Sequence, residues 1–259
     1  MLHCSSLLSP RLGMVVRTAL LSSIGVLAAC GASNADSHNA KRSPFPDPDR
    51  PVSALGSNQF STEVKRDSVN EAQKVMDLAG IENGMTVADI GAGEGYYTVR
   101  LAERVGPGGR VLAQDIDRDA LDRLGKRIER ERLDNVSIKQ GQPSDPRLPE
   151  GSFDRIFMIH MYHEIAQPYA FLWRMWPSLK EGGQVIVVDV DRPTDQHGIA
   201  PLLLACEFGR AGYQLDAFRD APEISGYYAQ FRRAARRPRP QDIEPCRGGL
   251  AAGSTDAAS

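Results

Sequence analysis

The residues best suited to chemistry lie in two short stretches. Asp89-Ile-Gly-Ala-Gly-Glu-Gly95 follows the run Met85-Thr-Val-Ala88 and precedes a helical pattern that begins near Tyr96, so a strand, a glycine turn and a helix start succeed one another directly. Glycine suits such a turn because the backbone must reverse tightly and let a ligand approach with no Cβ in the way. A carboxylate two residues before the first glycine can hold an ammonium through charge-assisted hydrogen bonds. The N–H groups of the turn can receive an anion. The second stretch, His160-Met-Tyr-His-Glu164, follows an apolar run that ends at Ile159. An imidazole titrates near neutral pH, which makes His163 a candidate general base, with Tyr162 and Glu164 beside it. If the stretch is extended, His160 and Tyr162 face one way and Met161 and His163 the other, so only one pair can face a ligand. The helical H-E-x-x-H spacing is missing, and no Cys or His cluster elsewhere completes a site, so no metal is expected.

Around these stretches, apolar blocks alternate with helical patterns, the signature of βαβ units and a mostly parallel sheet. The reading places helices near 64–80, 94–105, 118–132, 168–180 and 198–211. Strands fall at 85–90, 110–115, 136–140, 154–160, 183–190, 213–219 and 226–232. Gly80, Gly106 and Gly182-Gly183 stand where helices should stop. With 259 residues, 41% of them hydrophobic, the chain can build one sizeable core plus tails. A net charge of -2 gives no basic footprint, so no nucleic-acid partner is expected.

The glycine turn reads G-x-G-x-G and lacks a following Lys-Ser/Thr. That separates it from the dinucleotide pattern G-x-G-x-x-G and from the phosphate loop. Together with Asp89 it resembles motif I of the class I S-adenosylmethionine-dependent methyltransferases. Leu148-Pro-Glu-Gly-Ser-Phe-Asp154 and Lys180-Glu-Gly-Gly183 resemble the runs that lead into that family's fourth and fifth strands, with Glu181 in place of the usual Pro. The matches span roughly Glu63 to Arg232 in the family's order.

The resemblance implies a Rossmann-like α/β fold, a doubly wound, mostly parallel seven-stranded sheet with helices on both faces. It implies S-adenosylmethionine as cofactor, its methionine part received by Asp89, Gly91, Ala92, Gly93 and Gly95, with His160 on the cofactor side. Asp115 ends the second strand about 20 residues beyond the turn, where such sheets set an acidic residue against ribose hydroxyls. Asp117 is the competing choice. Gln142 stands where many relatives have Gly-Asp and can offer an amide oxygen to the adenine. Tyr96 or Tyr97 could lay a ring against the sulfonium, with core packing the alternative. The implied activity is methyl transfer to a small-molecule or lipid acceptor. An exported, non-catalytic binding protein with the same fold and an NAD-dependent oxidoreductase are the alternatives, the last disfavoured by the glycine spacing.

The ends differ from this middle. Arg11 and Arg17 flank the run Ala19–Ala29, about 11 residues long, a signal-peptide length and short of the ~20 that span a bilayer. Leu27-Ala-Ala-Cys30-Gly31 resembles the lipobox of bacterial lipoproteins. The expected organisation is a signal peptide over 1–29, a Pro-rich and polar tether over 30–58, the globular domain over 59–233 and a disordered tail over 234–259. Location follows as a periplasm-facing lipoprotein of the cell envelope, held to the membrane through acylated Cys30. If the segment is not a functional signal, the location is cytoplasmic. Cys206 and Cys246 could pair in an oxidising compartment, but Cys206 lies in an apolar run and is expected to be an inert core thiol.

Overall fold

The computed structural model describes residues 43–55, 62–224 and 226–247. In chain order the elements are α1 (Glu63–Ser68), α2 (Glu71–Leu78), β1 (Thr86–Ile90), α3 (Tyr96–Val105), β2 (Arg110–Asp115), α4 (Arg118–Glu131) and β3 (Val136–Gln140). They continue with β4 (Phe153–Ile159), α5 (Pro168–Met175), β5 (Leu179–Asp189), α6 (Pro201–Arg210), β6 (Tyr213–Ala221) and β7 (Gly226–Arg233).

The strands form one sheet in the order β3-β2-β1-β4-β5-β7-β6. The first five are parallel, and β7 runs antiparallel to both of its neighbours. Val185–Val188 and Ile156–Met158 are buried on both faces, as strands covered by helices on either side must be. One apolar cluster joins Ile156, Met158, Val185 and Val187 to α5 and α6, and a second joins Phe157, Ile186 and Val188 to α2 and α3. These are the two helical layers of the expected Rossmann-like fold. The chain reverses its direction of strand addition between β1 and β4, and the carboxyl ends of these two strands open the crevice where such sheets bind ligands.

Two helices depart from the expected bounds. The segment 64–80 is broken between α1 and α2, where Asn70 adopts a left-handed conformation at φ 53. Asparagine visits this region more readily than most residues because its short polar side chain can hydrogen-bond to the local backbone. The helix expected over 168–180 stops at Met175. Trp176-Pro177-Ser178 makes a tight turn, since Pro177 has no N–H to continue the ladder, and β5 starts already at Leu179.

The described parts of the expected tether and tail, 43–55 and 234–247, are anchored to the domain. Phe45 buries against Tyr169, Ala170 and Ile243, and its ring meets Trp173 edge-on at 5.5 Å. The Arg50 guanidinium is paired with Glu207 at 2.8 Å, both side chains about 1% exposed. From the other end, the Pro238 carbonyl accepts from Trp173 Nε1 at 2.8 Å, and the Arg237 guanidinium lies 3.7 Å from the Trp173 ring centre. Asp49 and Arg247 form a parallel bridge. Cys206 and Cys246 are joined in a disulfide, correcting the expectation of an inert thiol. Composition misread both ends because a few anchors (Phe45, Arg50, Ile243, Cys246) are diluted among proline and polar residues. The signal segment, Cys30, the rest of the tether and residues 248–259 lie outside the described residues. Among the described residues no helix is long and apolar enough to cross a membrane.

Candidate functional site

The turn after β1 is built as its sequence requires. Gly91, Gly93 and Gly95 all take positive φ, at 68, 54 and 88°. A Cβ on Gly91 would come within 2.9 Å of Met161 Cγ, and one on Gly95 would collide with Leu124 of α4. The first and third glycines therefore let the turn pack against the chain beneath it. Around Gly93 nothing lies within 4 Å of a Cβ position, so this glycine presents open backbone to a ligand. Ala92 donates its N–H to the Gln114 carbonyl at 3.0 Å, which fastens the turn to the neighbouring strand.

Asp115 ends β2 beside this turn. Its Oδ2 accepts from Gly93 N–H at 2.8 Å and its Oδ1 from Asp117 N–H at 2.9 Å, and the residue stays partly exposed. Asp117 is occupied as the cap of α4, accepting from Asp119 N–H at 2.9 Å, so of the two carboxylates Asp115 is the one set against the turn. Gln142 is exposed in a tight turn with Asp145, directly after Gly141, whose N–H bonds the Asp115 carbonyl at 2.9 Å. It thus stands at the same edge of the sheet as Asp115.

Asp89 is only 3% exposed, and its Oδ2 accepts from the Thr98 hydroxyl at 2.6 Å. Burial pushes its carboxyl up to about 6, against the opposing pull of Thr98 and Arg66. An ammonium beside this carboxylate would supply the counter-charge that burial withholds. The residues present fit S-adenosylmethionine: a buried acid and an uncrowded Gly93 suit its methionine end, and the partly exposed Asp115 carboxylate suits hydroxyls such as those of its ribose.

Helix α1 and the start of α2 add a group that the sequence did not reveal. The Arg66 guanidinium lies 3.9 Å from the Tyr96 ring centre and bonds Glu71 Oε1 at 2.6 Å. The same oxygen accepts from the Tyr97 hydroxyl at 3.0 Å and lies 3.6 Å from His160 Nε2. Burial raises the Glu71 carboxyl, but His160 and Arg66 outweigh it and hold the group down at about 2. The rings proposed for the sulfonium are engaged elsewhere: Tyr96 is sandwiched between Arg66 and Arg100, at 3.9 and 3.8 Å, and Tyr97 is buried. No local spacing signals this cluster, because its members come from α1, α2, α3 and the turn after β4.

The stretch after β4 is not extended, which corrects the alternation expected for it. His160 turns the chain at φ 53, and Tyr162–Glu164 form a single 3₁₀ turn. His160 faces the Glu71 cluster and Met161 packs on Gly91. Tyr162 points inward: it is fully buried, donates its hydroxyl to Glu207 Oε2 at 2.7 Å and lies under Arg50. It is a core residue rather than a catalytic one. His163 is enclosed as well, its Nδ1 at 2.9 Å from Asp189 Oδ1 and its ring 5.6 Å from that of His197. The histidine cluster judged missing from the sequence is present in space. His163, Glu164 and His197 bring one donor atom each within 4.8 Å of one another. His197 escaped notice because α5 and β5 separate it from His163 along the chain.

Comparison with known proteins agrees with this geometry. Residues 81–209 match the family model described as a methyltransferase domain. A demethylmenaquinone methyltransferase of Lactococcus lactis is 27% identical over 121 residues, 47% of this chain and 48% of the relative. The nocamycin O-methyltransferase of Saccharothrix syringae is 31% identical over 176 residues, 58% of this chain and 63% of the relative. The chain therefore spans only about half to three fifths of these relatives' length. Among solved structures, a SAM-dependent methyltransferase from Aquifex aeolicus superposes with a TM-score of 0.57 at 21% identity, covering 66% of this chain and 97% of that one.

Proposed function

We propose that this chain, whose residues 81–209 match the methyltransferase-domain model, binds S-adenosylmethionine as a class I methyltransferase and transfers its methyl group to a small-molecule acceptor. The observation that carries the reading is the glycine turn at the reversal point of the sheet, with Gly93 open and the Asp115 carboxylate against it. Bound there, S-adenosylmethionine supplies an activated methyl group, so the protein's share of the work is to hold the acceptor in line and shape the electrostatics around it. Asp115 receives the ribose hydroxyls, Asp89 faces the ammonium, the side-chain-free face of Gly93 lets the methionine part approach the turn, and Gln142 lies toward the adenine. His160, with Glu71 and Arg66, borders the methionine end. His163 is not assigned the part of general base, since its ring is enclosed between Asp189 and His197. Relatives named for menaquinone precursors and for nocamycin support an acceptor of small-molecule or lipid size.

Export as a lipoprotein anchored through Cys30 is part of the proposal. The Cys206–Cys246 disulfide favours it, because such bonds persist in oxidising compartments and are rare in the cytosol. The test is calorimetric titration of protein beginning after Cys30 with S-adenosylmethionine, S-adenosylhomocysteine and NAD. Saturable binding of the first two and none of NAD is the expected result. Binding of NAD alone would refute the reading, and cofactor binding without methyl transfer to any quinone, phenol or lipid extract would refute the catalytic part. Mass analysis of membrane-extracted protein decides the anchor, since an unmodified N-terminus upstream of Cys30 excludes lipoprotein processing.

A further inference from the structure

We propose that His163, Glu164 and His197 form a binding site for one divalent first-row transition metal, of which zinc is the best probe. Two imidazoles and a carboxylate bring their donor atoms within 4.8 Å of one another. Zinc takes nitrogen and oxygen at ~2.0–2.2 Å, so small side-chain rotations that draw the three donors together complete a site for a single ion. The donor types select the ion: imidazole suits zinc and its neighbours, whereas calcium and magnesium seek shells of oxygen alone.

The support around the three residues is that of a metal site. The His163 Nδ1 lies 2.9 and 3.0 Å from the two oxygens of Asp189, and both side chains are fully buried. A carboxylate in this position fixes the tautomer, so that Nε2 is the ligand atom, and raises its basicity. Asp189 is itself held, its Oδ1 accepting from Val190 N–H at 2.8 Å. Ser53 then ties the two histidines together through their backbones. Its N–H donates to the His163 carbonyl at 3.4 Å, its Oγ accepts from His197 N–H at 3.1 Å, and its hydroxyl bonds the Thr194 carbonyl. A residue from the N-terminal segment thus fastens loops that follow two different strands.

Location and access agree. His163 and Glu164 follow β4, and Asp189 closes β5, so the cluster sits at the carboxyl edge of the sheet that also carries the glycine turn. Glu164 and His197 are partly exposed, which leaves a route for the ion. Three protein ligands leave a position for water or for an oxygen atom of the acceptor. Metal binding here does not depend on methyl transfer, and the two can fail separately.

The experiment titrates metal-stripped full chain with Zn²⁺ by calorimetry and with Co²⁺ by visible absorption. One ion per chain is expected, with Co²⁺ bands of low-symmetry nitrogen and oxygen ligation. His197→Ala and Glu164→Gln, both at partly exposed positions, should each weaken Zn²⁺ binding at least tenfold while leaving the metal-free melting temperature unchanged. Ser53→Ala should weaken it by about 10–100-fold, the effect typical of groups that orient metal ligands. Absence of saturable binding would overturn the proposal, as would one-to-one binding that persists undiminished in His197→Ala and Glu164→Gln.

Discussion

Two buried carboxylates flank the glycine turn, and their environments push them in opposite directions. Asp89 lies among apolar groups that raise it to about 6, while Glu71, although buried too, is held at about 2 by His160 and Arg66. Only Asp89 therefore changes charge near neutral pH. Because the ionised form attracts the cofactor's ammonium, S-adenosylmethionine affinity should fall as pH drops through about 6, by up to tenfold per unit. Calorimetry from pH 5 to 8 checks this, and Asp89→Asn should show weak binding with a flat profile. Linkage gives the two groups opposite signs for folding. The raised Asp89 favours the fold while protonated, and that contribution is lost as pH rises through about 6. The depressed Glu71 stabilises at pH above 4.5, and its contribution is lost as pH falls toward about 2. Glu71→Ala should cost about 1–3 kcal/mol in urea unfolding, since it leaves the half-buried Arg66 and the buried Tyr97 hydroxyl without their carboxylate partner. Asp89 and Asp115 were legible in the sequence because strand, turn and acid follow one another locally. Glu71, Arg66 and His197 were not, because tertiary folding alone assembles them.

At the scale of elements, most strands were readable to within about two residues, while β5 starts well before its expected first residue. Val111–Asp115 follows α3, which ends at Gly106 as expected, whereas α4 ends at Arg132 in a left-handed conformation before the mostly exposed Val136–Gln140. Errors arose where a backbone feature overrode the pattern, as at Asn70 and Pro177. The largest error was the N-terminal segment, whose composition resembles a linker although one buried cation anchors it. Arg50 reaches Glu207 with both side chains about 1% exposed, and it also bonds the Ile165 carbonyl at 3.4 Å. Arg50→Ala should therefore destabilise the protein by about 3–5 kcal/mol, because Glu207 would be left charged in the core with, among the described residues, only the Tyr162 hydroxyl for a partner. Chemical denaturation measures this. A change below 1 kcal/mol would mean that the segment is held by Phe45 and Ser53 instead.

For the whole molecule, the disulfide matters most. It links α6 to the C-terminal segment across 40 residues, a span that includes β6 and β7. Closing a loop of that length removes unfolded-state freedom equivalent to about 4 kcal/mol in the chain-entropy model. The Cys206→Ser/Cys246→Ser double variant should melt well below the oxidised parent, and dithiothreitol should lower the parent to the same point without affecting the variant. No sequence signal could assign this pair, since two cysteines so far apart carry no information on their distance in space.

The parallel bridge between Asp49 and Arg247 places the two described ends of the domain side by side. A piece trimmed to residues 81–209, the stretch by which relatives are recognised, would keep Cys206 and Glu207 but lose Cys246 and Arg50. It would carry a bare thiol and an uncompensated interior charge on the same helix. The smallest autonomous folding unit is thus longer at both ends than the recognisable one, and a new pair of termini is better opened at a distant surface loop, with the old ends spliced together, than made by shortening the chain.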